Sequence, residues 1–225
     1  MGYKYQMHVH TYPVSDCGVM TPSELAEELY SGGYSGCVLT NHFYWGNTGV
    51  DRNLPWADFV ERFTEDYRLA VEAAKRFDLD ILFGLEEHVG EGKEILCYGV
   101  TPEILTAHPE LREIGLQNWH SVMSSRDALC IQAHPFRLRA YIPSPGMLDF
   151  SFIDGVEVFN AANREEENEK AEAVVAANPQ LIAVSGADAH TVSAACIGGI
   201  ETKRRIRTVE ELVRVLRLGD YKVLK

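Results

Sequence analysis

Tyr3-Lys4-Tyr5-Gln6-Met7-His8-Val9-His10 is the stretch on which the fold turns. Its alternation predicts a strand from Tyr3 to Val9, with Tyr3, Tyr5, Met7 and Val9 on one side and Lys4, Gln6, His8 and His10 on the other. Alternate side chains of an extended strand share a face, so His8 and His10 can grip one ion with no turn between them. A lone His-x-His is weak evidence, but the residue types recur. Asp16, Asn41-His42, Glu86, Ala133-His134-Pro135 and Asp188-Ala189-His190 follow along the chain.

The segments between them alternate in kind. Thr21-Pro22-Ser23-Glu24 opens a helix, with Thr as cap, Pro in the first turn and Glu closing a capping box. Gly32-Gly33 stops it. Gly36 to Thr40 reads as a buried strand ending at Asn41-His42, and a single helix is expected from Trp56 to Phe77. Further strands are expected at Asp80 to Leu85, Glu94 to Val100, Ala128 to Ala133, Gly155 to Phe159 and Leu181 to Ser185. Asn163 with Glu166 begins a charged helix reaching Ala177, Thr208 with Glu211 caps the last helix, and Tyr221 to Leu224 closes the sheet. Near-continuous apolar strands alternating with helices imply a parallel sheet covered by helices. In closed α/β barrels the functional groups gather at the C-terminal ends of the strands. Every candidate ligand falls at such an end, so one α/β domain over residues 1–225 with a metal-filled rim is expected.

Bulk properties narrow the partners. A chain of 225 residues buries roughly 70% of its extended surface on folding, so neither disulfide nor metal is needed to hold a core. The net charge of -12 disfavours nucleic acid as a partner, the one basic run being Lys203 to Arg207. No apolar run approaches the length of a membrane span and no cleavable leader is evident, so a cytoplasmic location is expected. Cys17, Cys37, Cys97, Cys130 and Cys196 are scattered and read as reduced core or near-core thiols.

Met7-His8-Val9-His10-Thr11, Ser15-Asp16, Thr40-Asn41-His42, Gly84-Leu85-Glu86, Ala133-His134-Pro135 and Gly186-Ala187-Asp188-Ala189-His190, in this order, resemble the PHP (polymerase and histidinol phosphatase) domain over nearly the whole length. The resemblance implies a distorted (β/α)7 TIM-like barrel that holds two to three divalent transition metal ions, Zn, Mn or Fe, at the C-terminal ends of the strands. It implies that His8, His10, Glu86 and Asp188 surround one ion, that Glu86 bridges to a second held with His134, and that Asp16, His42 and His190 hold the third. Glu86, Asp188 and His134 would carry the catalytic roles. Mixed imidazole and carboxylate ligands suit those metals better than Ca or Mg. Two departures stand out. The second ion lacks the histidine usual on the strand after the bridging Glu, leaving Glu94 or His88 as substitutes, and Asn41 stands where an Asp is common.

Four carboxylates (Asp16, Glu86, Glu94 and Asp188) against about six positive charges from three divalent ions leave a locally cationic site in an acidic protein. That suits an anionic phosphate ester. The resemblance implies a metal-dependent phosphoesterase hydrolysing a phosphate monoester of a small metabolite, histidinol phosphate-like or a nucleotide, by in-line attack of a metal-bridging hydroxide. Arg137 and Arg139 are the phosphate-clasping candidates, since a planar guanidinium can pair with two phosphate oxygens. Tyr12, Phe43, Tyr44, Trp45 and Phe136 are candidate pocket aromatics, and Tyr44 to Pro55 a candidate lid. Alternative readings are a phosphodiesterase or exonuclease of the same family, an amide hydrolase, and a non-catalytic metal-binding module.

Overall fold

The first strand, β1 (Tyr3–Gln6), is shorter than its alternation predicts, and the cause is Gln6. The Gln6 Oε1 accepts from the backbone N–H groups of Met7, His8 and Ala187, at 2.9, 3.1 and 2.9 Å. A side-chain carbonyl thus stands where a neighbouring strand would, and the chain bends at His8. Met7 packs with Tyr5 in one apolar cluster, whereas Val9 joins another.

The computed structural model describes residues 2–225. Beyond β1, the described residues form α1 (Pro22–Ser31), β2 (Gly36–Leu39), α2 (Trp56–Phe63), α3 (Glu65–Ala74), β3 (Asp80–Gly90), β4 (Lys93–Tyr98), α4 (Pro102–Ala107), α5 (Leu116–Ser125), β5 (Leu129–Gln132), β6 (Gly155–Asn160), α6 (Glu165–Ala177), β7 (Ile182–Gly186), β8 (Gly199–Thr202), α7 (Val209–Leu218) and β9 (Tyr221–Leu224). The Thr21 capping box of α1 forms as expected, and the Thr208 hydroxyl accepts from Glu211 N–H at the start of α7. The helix expected from Trp56 to Phe77 is divided at Thr64, whose hydroxyl bonds back to the Glu61 carbonyl. The start of α6 lies one residue later than expected, because Glu167 rather than Glu166 accepts from the Arg164 N–H.

The sheet runs β7-β6-β5-β4-β3-β2-β1-β8-β9. It is not the all-parallel, seven-stranded barrel expected: among the described residues it has nine strands. β4 is antiparallel to both β3 and β5, and β8 and β9 add antiparallel pairs beyond β1. The cause is a tight β3–β4 reversal at Gly90–Gly92, where φ is positive at Gly90, Glu91 and Gly92. β4 therefore begins, rather than ends, at the rim where the parallel strands finish.

Tyr5, Met7, Val38, Leu82, Leu96, Leu129, Val184 and Ile200 pack together with Leu212 and Leu216 of α7, filling the space the strands enclose. The sheet nearly closes. After β7 the chain lies alongside residues 8–10, with Asp188 N–H bonded to the His8 carbonyl and His10 N–H to the Ala189 carbonyl, both at 2.9 Å. Gly186 permits this approach, since a Cβ there would stand 2.4 Å from the His8 Cβ. No described helix is long and apolar enough to cross a membrane.

Candidate metal centre

Five strands deliver ligands to one rim. His8 and His10 follow β1, His42 follows β2, Glu86 lies within β3, His134 follows β5, and Asp188 and His190 follow β7. Glu94 joins them because antiparallel β4 starts there. His134 and Asp188 hold positive φ angles of 26° and 52°. Non-glycine residues adopt such angles at a cost of about 1–3 kcal/mol, a strain typical of functional sites.

Glu86 is the hub. Its Oε1 lies 3.2 Å from His8 Nε2 and 3.0 Å from His134 Nε2, while its Oε2 lies 3.3 Å from His10 Nε2 and 3.0 Å from His42 Nδ1. Asp188 Oδ1 completes one group, 3.4 Å from His8 Nε2 and 3.2 Å from His10 Nε2. The structure therefore brings His8, His10, Glu86 and Asp188 together as one candidate ligand set, all buried. His42, Glu86 and Glu94 form a second set, with His134 Nε2 also 3.4 Å from Glu94. A third unites His10, His42 and His190, whose rings stack at 4.3 and 4.5 Å about His10.

Burial pushes the Glu86 carboxyl up, but His8, His42, His10 and His134 outweigh it and hold it well below the usual carboxylate range. Asp188 is likewise held low, against burial, by His8 and Arg137. Glu94, buried beside Glu86, is pushed up to about 7. Burial lowers His8 and His42, yet the surrounding carboxylates raise both well above the ordinary value, whereas burial and His42 bring His10 down to about 4. The donor set fits divalent ions. The Nε2 atoms of His8 and His10 face each other at 3.1 Å between two carboxylates, and the buried Nδ1 of His42 has no hydrogen-bond partner. Converging lone pairs of this kind call for a cation.

The outer contacts were not foreseen. Glu157, the one charged residue in β6, is buried with its Oε1 2.9 Å from His8 Nδ1. That carboxylate fixes the proton on Nδ1 and leaves Nε2 to face the centre. Its Oε2 accepts from the His134 N–H and from Asn160 Nδ2. A register shift in β6 just after Glu157 marks a bulge, a device that re-aims side chains at sites of this kind. Ser15 Oγ accepts from the His42 N–H and lies 3.2 Å from His10 Nδ1. Asn41, uncharged where an Asp is common, donates its amide to Asp66 of α3, which also accepts from the Thr11 hydroxyl and the Val14 N–H.

Several expected residues lie elsewhere. Asp16 is exposed and belongs to none of the three sets, because the turn that carries it bonds Asp16 N–H to the Asn47 carbonyl. Its neighbour Cys17, expected with the other cysteines as a core or near-core thiol, is exposed. Burial pushes the Cys17 thiol up, but the neighbouring imidazoles of His190 and His42 outweigh it and bring it down to about 6. Of the two substitutes for the missing histidine, Glu94 is in the cluster and half-buried His88 is not.

Arg137 is buried, with Nη2 2.6 Å from Asp188 Oδ2 and 2.8 Å from Asn160 Oδ1, and Nε bonded to Asn163. Arg139 donates to the carbonyls of Leu138 and Ala162. Phe43 is core, edge-on to Trp56, Phe59, Phe63 and Trp119, while Tyr12 and Trp45 are exposed. The segment expected as a lid is pinned: Thr48 bonds to Val14, Gly49 to Val14, and the Trp45 indole to the Arg112 carbonyl.

No family model matches the chain, and no curated protein does. Solved structures do match. A two-domain protein from Bacteroides vulgatus containing a predicted PHP-like metal-dependent phosphoesterase aligns with a TM-score of 0.69 and 13% identity, covering 99% of this chain and 64% of that one. The chain shares its fold with that structure. An amidohydrolase from Chromobacterium violaceum, solved with bound sulfate and no metal, aligns at 0.63 and 16% identity, covering 98% of each chain. A proposed metal-dependent phosphoesterase from Bifidobacterium adolescentis aligns at 0.55 and 15% identity, over 84% of this chain and 88% of that one.

Proposed function

We propose that the chain is a metal-dependent phosphoesterase acting on the phosphate monoester of a small metabolite. The observation that carries this reading is the buried hub at Glu86, each of whose oxygens touches two imidazoles. His8, His10, Glu86 and Asp188 would hold one ion, with Glu86, Glu94 and His134 offering a neighbouring position. Bound divalent ions supply a low-pKa water and spread the charge that develops on a phosphoryl group.

The chain's own residues prepare that chemistry. Glu157 keeps the proton on His8 Nδ1, so Nε2 stays a lone-pair donor. Arg137 neutralises and aims Asp188 through Oδ2, leaving Oδ1 to the centre. The Nη1 of Arg137, with no partner among the described residues, is the proposed contact to a phosphate oxygen, with Arg139 farther out. The exposed Tyr12 and Trp45 would meet the organic part of the ester.

Two similar folds carry names of metal-dependent phosphoesterases, and a third, an amidohydrolase, was solved with sulfate, a tetrahedral anion of phosphate shape. The net charge of -12 weighs against long nucleic acid. The test is elemental analysis of protein reconstituted with Zn, Mn or Fe, followed by turnover of phosphomonoesters, dinucleotides, oligonucleotides and acyl amides. Monoester hydrolysis that is lost on chelation and in the His8→Ala, Asp188→Ala double variant is expected. Cleavage of oligonucleotides or amides without any monoester, or well under one bound equivalent of metal, overturns the reading.

A further inference from the structure

Thr11, Ser15, Asn41 and Asp66 lie behind the histidines of the rim, all buried, and their hydrogen bonds form one directed chain. A carboxylate only accepts, so the direction can be followed from Asp66. The Thr11 hydroxyl donates to Asp66 Oδ2 at 2.8 Å, in preference to Asn41 Oδ1 at 3.4 Å, and so accepts from Asn41 Nδ2 at 3.0 Å. Asn41 Oδ1 then faces the other way, accepting from the Thr11 N–H at 2.7 Å and from the Ser15 hydroxyl at 3.0 Å. A backbone N–H can only donate, so Thr11 fixes the same orientation of the amide independently. Ser15 has one hydroxyl proton, and Asn41 takes it. The Ser15 oxygen is left to accept, from the His42 N–H at 2.9 Å and from His10 Nδ1 at 3.2 Å. On the other side of that ring, His10 Nε2 lies 3.3 Å from Glu86 Oε2 and 3.2 Å from Asp188 Oδ1.

We propose that Ser15 is a positioning residue for the metal centre: its oxygen holds the His10 proton on Nδ1, so that Nε2 is the atom offered to an ion. Asn41 sets that direction by taking the Ser15 proton. His8 is directed by a carboxylate, Glu157, whereas His10 is directed by a neutral hydroxyl. The inference rests on the ion-binding reading of the rim and adds to it the residues that orient His10.

The experiment uses the full chain with isotope-labelled histidine rings, stripped and then loaded with a magnetically active cadmium isotope. The ring nitrogen that couples to the metal in the nuclear magnetic resonance spectrum is the ligating atom. In the wild type the coupling is expected at His10 Nε2, with a proton on Nδ1 shifted downfield by its hydrogen bond. Ser15→Ala should move that proton upfield, a signature that a role confined to holding the His42 N–H would not touch. It should also weaken zinc binding about 10–100-fold in competition with a chelator. Asn41→Leu frees the Ser15 proton to turn toward His10 and should weaken binding too. The Ser15→Ala, Asn41→Leu double variant should bind no more weakly than Ser15→Ala alone, because one residue acts through the other. Circular dichroism establishes that each variant folds, and the wild-type coupling stands without any of them. Coupling at Nδ1, a Ser15→Ala affinity within twofold of the wild type, or losses that simply add would each overturn the direction assigned to Ser15 while leaving the phosphoesterase reading intact. No metal bound at all would overturn both.

Discussion

Glu157→Gln is the most informative single substitution, because the change is isosteric and the consequence follows from hydrogen-bond direction alone. Glu157 faces only donors: His8 Nδ1 on Oε1, the His134 N–H and Asn160 Nδ2 on Oε2. A glutamine has one acceptor oxygen and one NH2 group. With the oxygen toward His134 and Asn160, the NH2 meets His8 Nδ1 and drives the proton to Nε2, the atom that faces Glu86 and Asp188. With the oxygen toward His8, two donors confront the NH2 in a buried site. Loss of such an outer partner weakens metal binding by about 10–100-fold, which is roughly 1.4–2.7 kcal/mol. The assay is competition with a chelator of known affinity, with circular dichroism to establish that the fold persists. Affinity within twofold of the wild type in a folded variant would refute the argument that Glu157 sets the tautomer of His8.

Arg137→Met removes the guanidinium from Asp188. Breaking a buried ion pair costs about 3–5 kcal/mol, and the His8 and His10 neighbours of Asp188 place the expected loss near the lower end. Metal-stripped protein should lose on the order of 10 °C in Tm, and loaded protein distinctly less, because the ions then neutralise Asp188; equal losses in calorimetry would contradict this. The pH dependence of metal binding has a fixed sign. In the stripped protein Glu86 and the other carboxylates hold His8 and His42 protonated well above the ordinary histidine value. Ion uptake must displace those protons, so affinity falls as pH falls through neutrality. Titration calorimetry in buffers of different ionisation enthalpy should register proton release near pH 7, and buffer-independent heats would count against it. Gly186→Ala should prevent residues 187–190 from settling beside His8, since its Cβ would stand 2.9 Å from the His8 backbone nitrogen and closer still to its Cβ; normal metal stoichiometry in a stable Gly186→Ala protein would refute that packing argument.

The candidate ligands were legible because each is a polar residue at the end of an apolar run, where a barrel collects its chemistry. His8, His10, His42, Glu86, His134, Asp188 and His190 all converge. The α1 capping box was equally legible, since Thr21 and Glu24 act across three residues. Strand direction was not. An apolar run such as Ile95 to Tyr98 packs equally well either way round, and only the turn at Gly90–Gly92 decides that β4 runs antiparallel and brings Glu94 in at its start. Glu157 was visible as a lone charge among Val156, Val158 and Phe159, a signal that a buried carboxylate must have partners. Asp16 was misplaced because the hydrogen bonds of one tight turn, among them Asp16 N–H to the Asn47 carbonyl, decide where it stands, and residue types do not encode them.

The barrel wall closes at the rim where residues 187–190 run beside residues 8–10, and the proposed ligands stand on both sides of that join. An ion bound there works as a rivet through a seam between chain positions almost the whole sequence apart. Escape of the cation and parting of the barrel wall then become one and the same event. The rate at which metal exchanges with solution would accordingly measure how often this wall breathes, and a filled centre would make the wall the last part of the protein to give way.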